Sequence, residues 1–276
     1  VYKRQVLDSS LSGALEDAYR YLLDLHLSHN IPATFAFVGF YALAPEARAE
    51  YLSANADSLR NRAKYLTRSD GCWEGAANFA TIQGGAQKSS LIDVGSHSLT
   101  HMPFNLLNAE EQRHELSASK KLLTDLSGRE PKTFIYPRNI LRSPSECRRH
   151  YRTFRNTPAP AGVRGLTDRA RLSVGLFPLL ERQYSDQIFW RGGSWRMVPD
   201  FGWKRMWLKR LKLAAVQNDS VQTVHVWSHP HNLVTDAGQK DRMRWLVDLF
   251  EANRNHINFL KIADVGPDGR ELSAAP

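Results

Sequence analysis

An α/β fold with parallel strands is predicted by two features of the chain. Short apolar runs of strand character alternate with segments of helical period, a pattern that implies parallel β-strands joined by crossover helices. Three of those runs also end in chemically distinctive residues: His97 and His101, then Pro137-Arg138-Asn139, then His229-Pro230-His231. In a parallel α/β barrel all strand C-termini open on one face, so groups far apart in sequence converge there. No internal repeat or linker divides the 276 residues, so a single domain is expected over 1–276.

The elements follow in order. Ser12 is suited to cap a helix whose apolar side includes Leu15, Tyr19, Leu22 and His26, ending near Asn30. Ile31-Pro32 blocks further helix, and Ala33 to Gly39 reads as a buried strand. Pro45 suits the first turn of a second helix running through Arg60. Residues 69–90 are rich in Gly, Ser and Ala without a sustained period, and are expected to form a loop excursion beside the ligand. Leu91 to Gly95 is a strand. Asn108 and Glu111 form a reciprocal cap for a helix that turns Leu116, Leu122, Leu123 and Leu126 inward and stops at Gly128.

Thr133 to Pro137 is the next strand, and Tyr151 to Arg155 another. Residues 157–200 read as irregular. A helical pattern returns over Trp203–Gln217, and Val221 to Trp227 is a strand. A helix from about Asp236 to Asn253 and a strand over Ile257–Ile262 close the series.

Composition narrows the partners. Thirty-seven Lys and Arg against 28 Asp and Glu give a net charge of +9, which suits an anionic partner such as a nucleic acid, an acidic polysaccharide or a lipid surface, or equally a basic protein with scattered charge. The basic residues are scattered apart from Lys204, Arg205, Lys209, Arg210 and Lys212, and no nucleic-acid-binding module is recognisable. Cys72 and Cys147 form no C-x-x-C pair, which excludes a thiolate zinc site and mildly favours a reducing compartment. The longest apolar run, Pro32 to Ala44, is too short to span a bilayer, and no transmembrane segment is expected.

His97-Ser98-Leu99-Thr100-His101 carries the most information. Imidazoles four residues apart on a helical turn reach a common ion. Spacing alone is weak in a chain with ten histidines. The setting strengthens it: an apolar strand leads in, and Met102-Pro103 ends the turn at once.

The run Asp93-Val94-Gly95-Ser96-His97-Ser98-Leu99-Thr100-His101 resembles the metal motif of polysaccharide deacetylases, carbohydrate esterase family four. Ile31-Pro32-Ala33-Thr34-Phe35 is similar to a strand opening of the same domain. Phe134 to Asn139 and Trp227 to Asn232 resemble strand ends of a branch linked to bacterial surface polysaccharides. The resemblance runs from about residue 11 to residue 265. It implies a distorted (β/α) barrel of seven or eight strands and a divalent metal, usually zinc, held here by His97 and His101. The implied reaction is hydrolysis of an N-acetyl group on a polysaccharide or oligosaccharide, with a carbohydrate partner.

On that reading His229 is the acid for the departing amine, with His231 as the alternative acid. Backbone N–H groups near Tyr136 to Arg138 would receive the oxyanion, and Tyr136, Arg138 and Asn139 would contact substrate. A histidine packed at a sheet edge and an arginine in a surface ion pair are the plainer roles for His229 and Arg138. Arg138 stands where the family more commonly has an aromatic residue.

The chain departs from the pattern at its start. The family carries two neighbouring aspartates on a first strand, a catalytic base and a third metal ligand, and no such pair precedes the first helix here. A fragment lacking that strand is expected, with residues 1–10 foreign or disordered and hydrolysis impaired. Asp93 is expected to support the histidine turn or cap it. An inactive glycan-binding relative and a metal-dependent amidohydrolase of a small non-sugar amide remain alternatives.

Overall fold

A computed structural model describes residues 12–62, 66, 75–155, 184–187, 204–205, 207–208, 224–234 and 238–265. The chain divides into two compact units, Val1–Thr157 with Phe259–Asp264, and Pro158–Asn258 with Val265–Pro276. Residues 1–10, Cys72, and most of the segments 157–200 and 203–217 lie outside the described residues.

The first unit is an α/β layer with a parallel sheet. Helix α1 (Ser12–Ser28) leads to β1 (Ala33–Phe37), and the short α2 (Gly39–Ala42) follows at once. Next come α3 (Pro45–Ala54) and α4 (Ala56–Leu59), so the helix expected through Arg60 is broken at Asn55. Helix α5 (Gly75–Lys88) precedes β2 (Ile92–Ser96), and α6 (Ala109–Ser127) precedes β3 (Thr133–Ile135). Helix α7 (Pro144–His150) precedes β4 (Thr153–Arg155). All four strands run parallel in the order β1-β2-β3-β4.

Side chains alternate across a strand, so one sheet face takes the core and the other stays polar. Phe37, Ile92 and Leu123 share a core with Leu23, Phe79 and Ile82, between the sheet and α1, α5 and α6. Thr34 and Asp93 pair in register on the opposite face, and the hydroxyls of Thr133 and Thr153 meet there at 3.1 Å.

Helix α5 overturns the loop expected over 69–90. Phe79, Ile82 and Ala86 recur at helical spacing and are buried, so a period was present beneath the small residues. Gly85 explains the unusual composition. A Cβ there would lie 2.6 Å from a Leu23 methyl, so the Leu23 side chain would have to shift to admit any larger residue. Low intrinsic helix propensity is outweighed by packing against the first helix.

Helix α6 begins and ends as its local signals require. Asn108 accepts from the Glu111 N–H while Glu111 accepts from the Asn108 N–H, both at 2.9 Å. Gly128 closes the helix at φ 68°, a conformation that costs glycine little.

In the second unit β5 (Tyr184–Gln187) and β6 (Val224–Trp227) pair in parallel, and α8 (Gln239–Ala252) buries Met243, Leu246 and Val247. The expected strand over Ile257–Ile262 is absent. The chain there is irregular between 3-10 turns at Arg254–His256 and Ile262–Asp264. The Ile262 N–H spends its bond on the Thr34 hydroxyl at 3.3 Å, and Lys261 Nζ donates to the Ser90 carbonyl at 2.9 Å. The described residues contain six strands, four in one parallel sheet and two in a separate parallel pair.

Candidate active site

Strand β2 delivers His97 to the sheet's C-terminal edge. Its backbone N–H donates to the Phe37 carbonyl at 2.7 Å, continuing the β1 ladder by one residue. Its ring Nδ1 lies 2.7 Å from the Ile135 carbonyl of β3. A carbonyl oxygen only accepts, so Nδ1 carries the proton and the neutral ring's lone pair sits on Nε2. Fixing the tautomer through Nδ1–H to a backbone carbonyl is the usual preparation of a metal-ligating histidine.

His101 comes to meet it by a route that periodicity does not foresee. The segment is no helical turn: Ser98 and His101 both have left-handed backbone, at φ 69° and φ 62°. These two residues turn the chain back on itself and bring the rings to 4.8 Å between centroids. Serine and histidine pay for positive φ, so the surroundings must hold it.

Eight polar groups of the turn are held by hydrogen bonds, among them the His97, Leu99, Thr100 and His101 N–H groups. The Ser98 and Leu99 carbonyls accept from the Gly39 and Phe40 N–H groups at 2.9 Å. Ser98 Oγ accepts from the His101 N–H at 3.0 Å. Leu99 is fully buried with Phe40, Leu43, Leu59 and Leu122. Glu115 Oε2 accepts from the Leu99 and Thr100 N–H groups, each at 2.9 Å, and Oε1 from the Thr100 hydroxyl at 2.6 Å. Arg62 closes the group, its Nη1 2.5 Å from Glu115 Oε1.

His101 is exposed to solvent, yet protein atoms packed around the ring still desolvate it. That crowding, with a smaller contribution from the positive Arg138, lowers its pKa to about 4 and keeps the imidazole neutral near pH 7. Neutral imidazole is the ligating form. Two imidazoles suit zinc and its neighbours among the divalent ions. Among the described residues no group of three or more His, Cys, Asp and Glu side chains forms a larger ligand set.

The neighbouring strand exit separates the residues expected to touch substrate. Tyr136 is 1% exposed and packs edge-on against Phe104, Phe134 and Phe154. Burial, reinforced by the adjacent Cys147 thiol, pushes its phenol above the usual range. This corrects the sequence reading of Tyr136: its side chain belongs to the core and offers a sugar no surface. Arg138 is exposed and sits in a 3-10 turn, Pro137–Asn139, at φ 56°. The Asn139 side chain lies outside the described residues.

In the second unit, His229 is exposed and His231 half-buried after β6. Their rings are 4.9 Å apart, and Trp227 meets the His229 ring at 5.3 Å.

Asp93 does not cap the histidine turn; that work is Glu115's, which the sequence reading missed because a lone glutamate in a helix carries no local signal. The Asp93 carboxylate instead accepts from Thr34 Oγ1 at 3.5 Å. Burial raises its pKa to about 6, with Lys261 opposing and Asp264 reinforcing the shift. An unfolded aspartate titrates near 3.9, so between about pH 4 and 6 the folded chain binds more protons. Folding stability therefore falls as pH rises through that window and the loss is complete above it. Asp93→Asn is expected to remove this slope and to stabilise the protein at pH 7 on the order of 2 kcal/mol, less whatever solvent screening recovers. Urea unfolding of both proteins at pH 4 and pH 7 measures it, and a wild-type-to-variant difference independent of pH would reject the assignment.

Residues 8–143, which include the histidine turn, match the family model described as polysaccharide deacetylase. No curated protein matches the chain. Among solved structures, the chain is similar to a Xyl-CE4 domain of a multidomain xylanase from the hindgut metagenome of Trinervitermes trinervoides. That similarity has 11% identity, 92% of this chain and 88% of the other covered, and a TM-score of 0.46. A peptidoglycan N-acetylglucosamine deacetylase is 13% identical, with 89% and 80% covered and a TM-score of 0.48. A family 4 carbohydrate esterase from Streptomyces lividans, in complex with acetate, is 13% identical, with 97% and 93% covered and a TM-score of 0.43. With the family match spanning β1, β2, β3 and the paired histidines, the segment 8–143 belongs to the polysaccharide deacetylase family, hydrolases that act on the amide bonds of acetylated sugars.

Proposed function

We propose that the chain is a metal-dependent hydrolase that removes N-acetyl groups from a polysaccharide or oligosaccharide, with His97 and His101 as ligands of a divalent ion, zinc by preference. The observation that carries this reading is the pairing of the two rings at 4.8 Å with the His97 tautomer set by the Ile135 carbonyl. When bound, such an ion supplies Lewis acidity toward an acetyl carbonyl and lowers the pKa of water at the site.

The chain's own groups would do the rest. His101 enters as a neutral donor and His97 through the ring nitrogen that does not bond Ile135, and the Glu115 network keeps their turn from relaxing. The backbone around Arg138 is proposed to steady the developing oxyanion, and the Arg138 guanidinium to hold a polar or anionic group of the glycan. His229 is proposed to protonate the departing amine, with His231 as the alternative. These roles require the whole chain to act as one deacetylase domain.

Turnover by this chain is proposed to be slow. Two imidazoles are what the described residues bring to the ion, and a positioned general base is typically worth about 10²–10⁴-fold. An inactive relative that only binds glycan is the second reading, favoured by the same two-donor set.

The experiment is acetate release from N-acetylglucosamine oligosaccharides, with added zinc and with chelator, beside a panel of small amides. Zinc-dependent acetate release supports the reading. Oligosaccharide binding without acetate would favour the glycan-binding relative, and hydrolysis confined to the small amides would make the chain a non-sugar amidohydrolase.

A further inference from the structure

We propose that Glu115 is a positioning residue of the metal site: its buried carboxylate holds the 97–101 turn in the backbone conformation that brings the two imidazoles together. The inference rests on the reading of His97 and His101 as metal ligands. It adds a residue on another element, 14 positions beyond His101, that touches neither ring.

The geometry is specific to the turn. Glu115 is fully buried, and Leu99 N–H, Thr100 N–H and Thr100 Oγ1 account for three of its four bonds. Two successive N–H groups aimed at one oxygen form an anion-accepting concavity. They lie between the left-handed residues Ser98 and His101, whose conformations set the direction in which the chain leaves His97 and arrives at His101. Remove the acceptor and two buried N–H groups lose their partner together. The turn then regains bonds by rotating toward solvent or toward a helical path, and either change moves the His101 ring.

Arg62 supplies the countercharge. It is itself 1% exposed and bonds through Nη2 to the Ser58 carbonyl at 2.5 Å and to His114 Nδ1 at 3.0 Å. A plain structural ion pair would need Arg62 and Glu115 but not the turn. The three bonds to Leu99 and Thr100 separate the two roles.

Four variants test the assignment: Glu115→Gln, Glu115→Asp, Glu115→Leu and the doubly apolar Arg62→Met/Glu115→Leu. Zinc affinity is read by competition with a chromophoric chelator. The ring-to-ring nuclear Overhauser contact between His97 and His101 is read in the metal-free proteins. Loss of an outer-shell partner typically costs about 10–100-fold in metal affinity, and Glu115→Gln is expected in that range with the ring contact weakened. Glu115→Asp, which keeps the charge, should recover part of both. The double variant removes both buried charges, so it should unfold at higher urea than Glu115→Leu alone while still binding zinc weakly.

Wild-type zinc affinity and an intact ring contact in Glu115→Gln would overturn the inference. So would a double variant that regains zinc affinity along with stability, since the carboxylate would then serve folding only. Should the wild-type chain bind no zinc, the metal reading fails, and the ring contact alone decides the positioning. Its loss in Glu115→Gln supports the inference, and its survival rejects it.

Discussion

Arg62→Met is expected to lower the free energy of unfolding by about 3–5 kcal/mol, because it leaves the Glu115 carboxylate buried without its countercharge. Arg62 and Glu115 are 1% and 0% exposed and meet at 2.5 Å. An exposed pair of the same geometry would be worth a small fraction of that. Arg60 with Asp57, at 3.0 Å on the surface, is such a pair, and its loss should be hard to detect. The contrast makes the measurement clean: urea unfolding of Arg62→Met beside Arg60→Met. The large value is the cost of stranding one charge, not the net worth of the pair. Equal, small effects for the two arginines would show that the Arg62 site admits water.

His97→Ala is expected to weaken zinc binding by more than the roughly 10–100-fold that loss of an outer-shell partner costs, and to abolish zinc-dependent acetate release. Folding should change far less, on the order of the 1 kcal/mol that a typical hydrogen bond such as the one to the Ile135 carbonyl contributes. His101→Ala should match it in zinc affinity. A left-handed alanine replaces a left-handed histidine there, so a modest loss of stability accompanies it. Isothermal titration with zinc, with circular dichroism to confirm folding, reads both variants. Wild-type affinity in either one would move the metal elsewhere and end the two-histidine assignment. Stability changes far larger than these would mean that the rings are structural.

Signals carried within a few residues were legible in the chain. Asn108, Glu111 and Gly128 announce the ends of their helix because a capping box and a left-handed stop are local chemistry, complete within four residues. The strands at 33–37, 92–96 and 133–135 were marked by apolar runs between breakers, and their parallel order follows from the helices between them. Signals that depend on a distant partner were misread. Residues 75–88 look like a loop because glycine and alanine dilute the period; the Leu23 methyls that a Gly85 side chain would meet lie more than fifty positions earlier. Ile257–Ile262 has strand composition, yet its backbone bonds go to the Thr34 side chain and to an irregular path. Tyr136 looked available to substrate because sequence shows a residue type and not the three aromatic rings around it.

The sequence by itself determined the α/β class, the family and the identity of the two histidines, because strand patterning and a five-residue motif survive in one dimension. Tertiary structure decided that those histidines meet, edge to face, at 4.8 Å between ring centroids. Their turn is left-handed at Ser98 and His101, a conformation neither residue prefers. It persists because N–H groups of α2 and the carboxylate of α6 satisfy its backbone, and because Leu99 is buried between them. Spacing can bring two ligands near each other; only the packed elements around the turn give the hydrogen bonds that make their approach the state of lowest free energy.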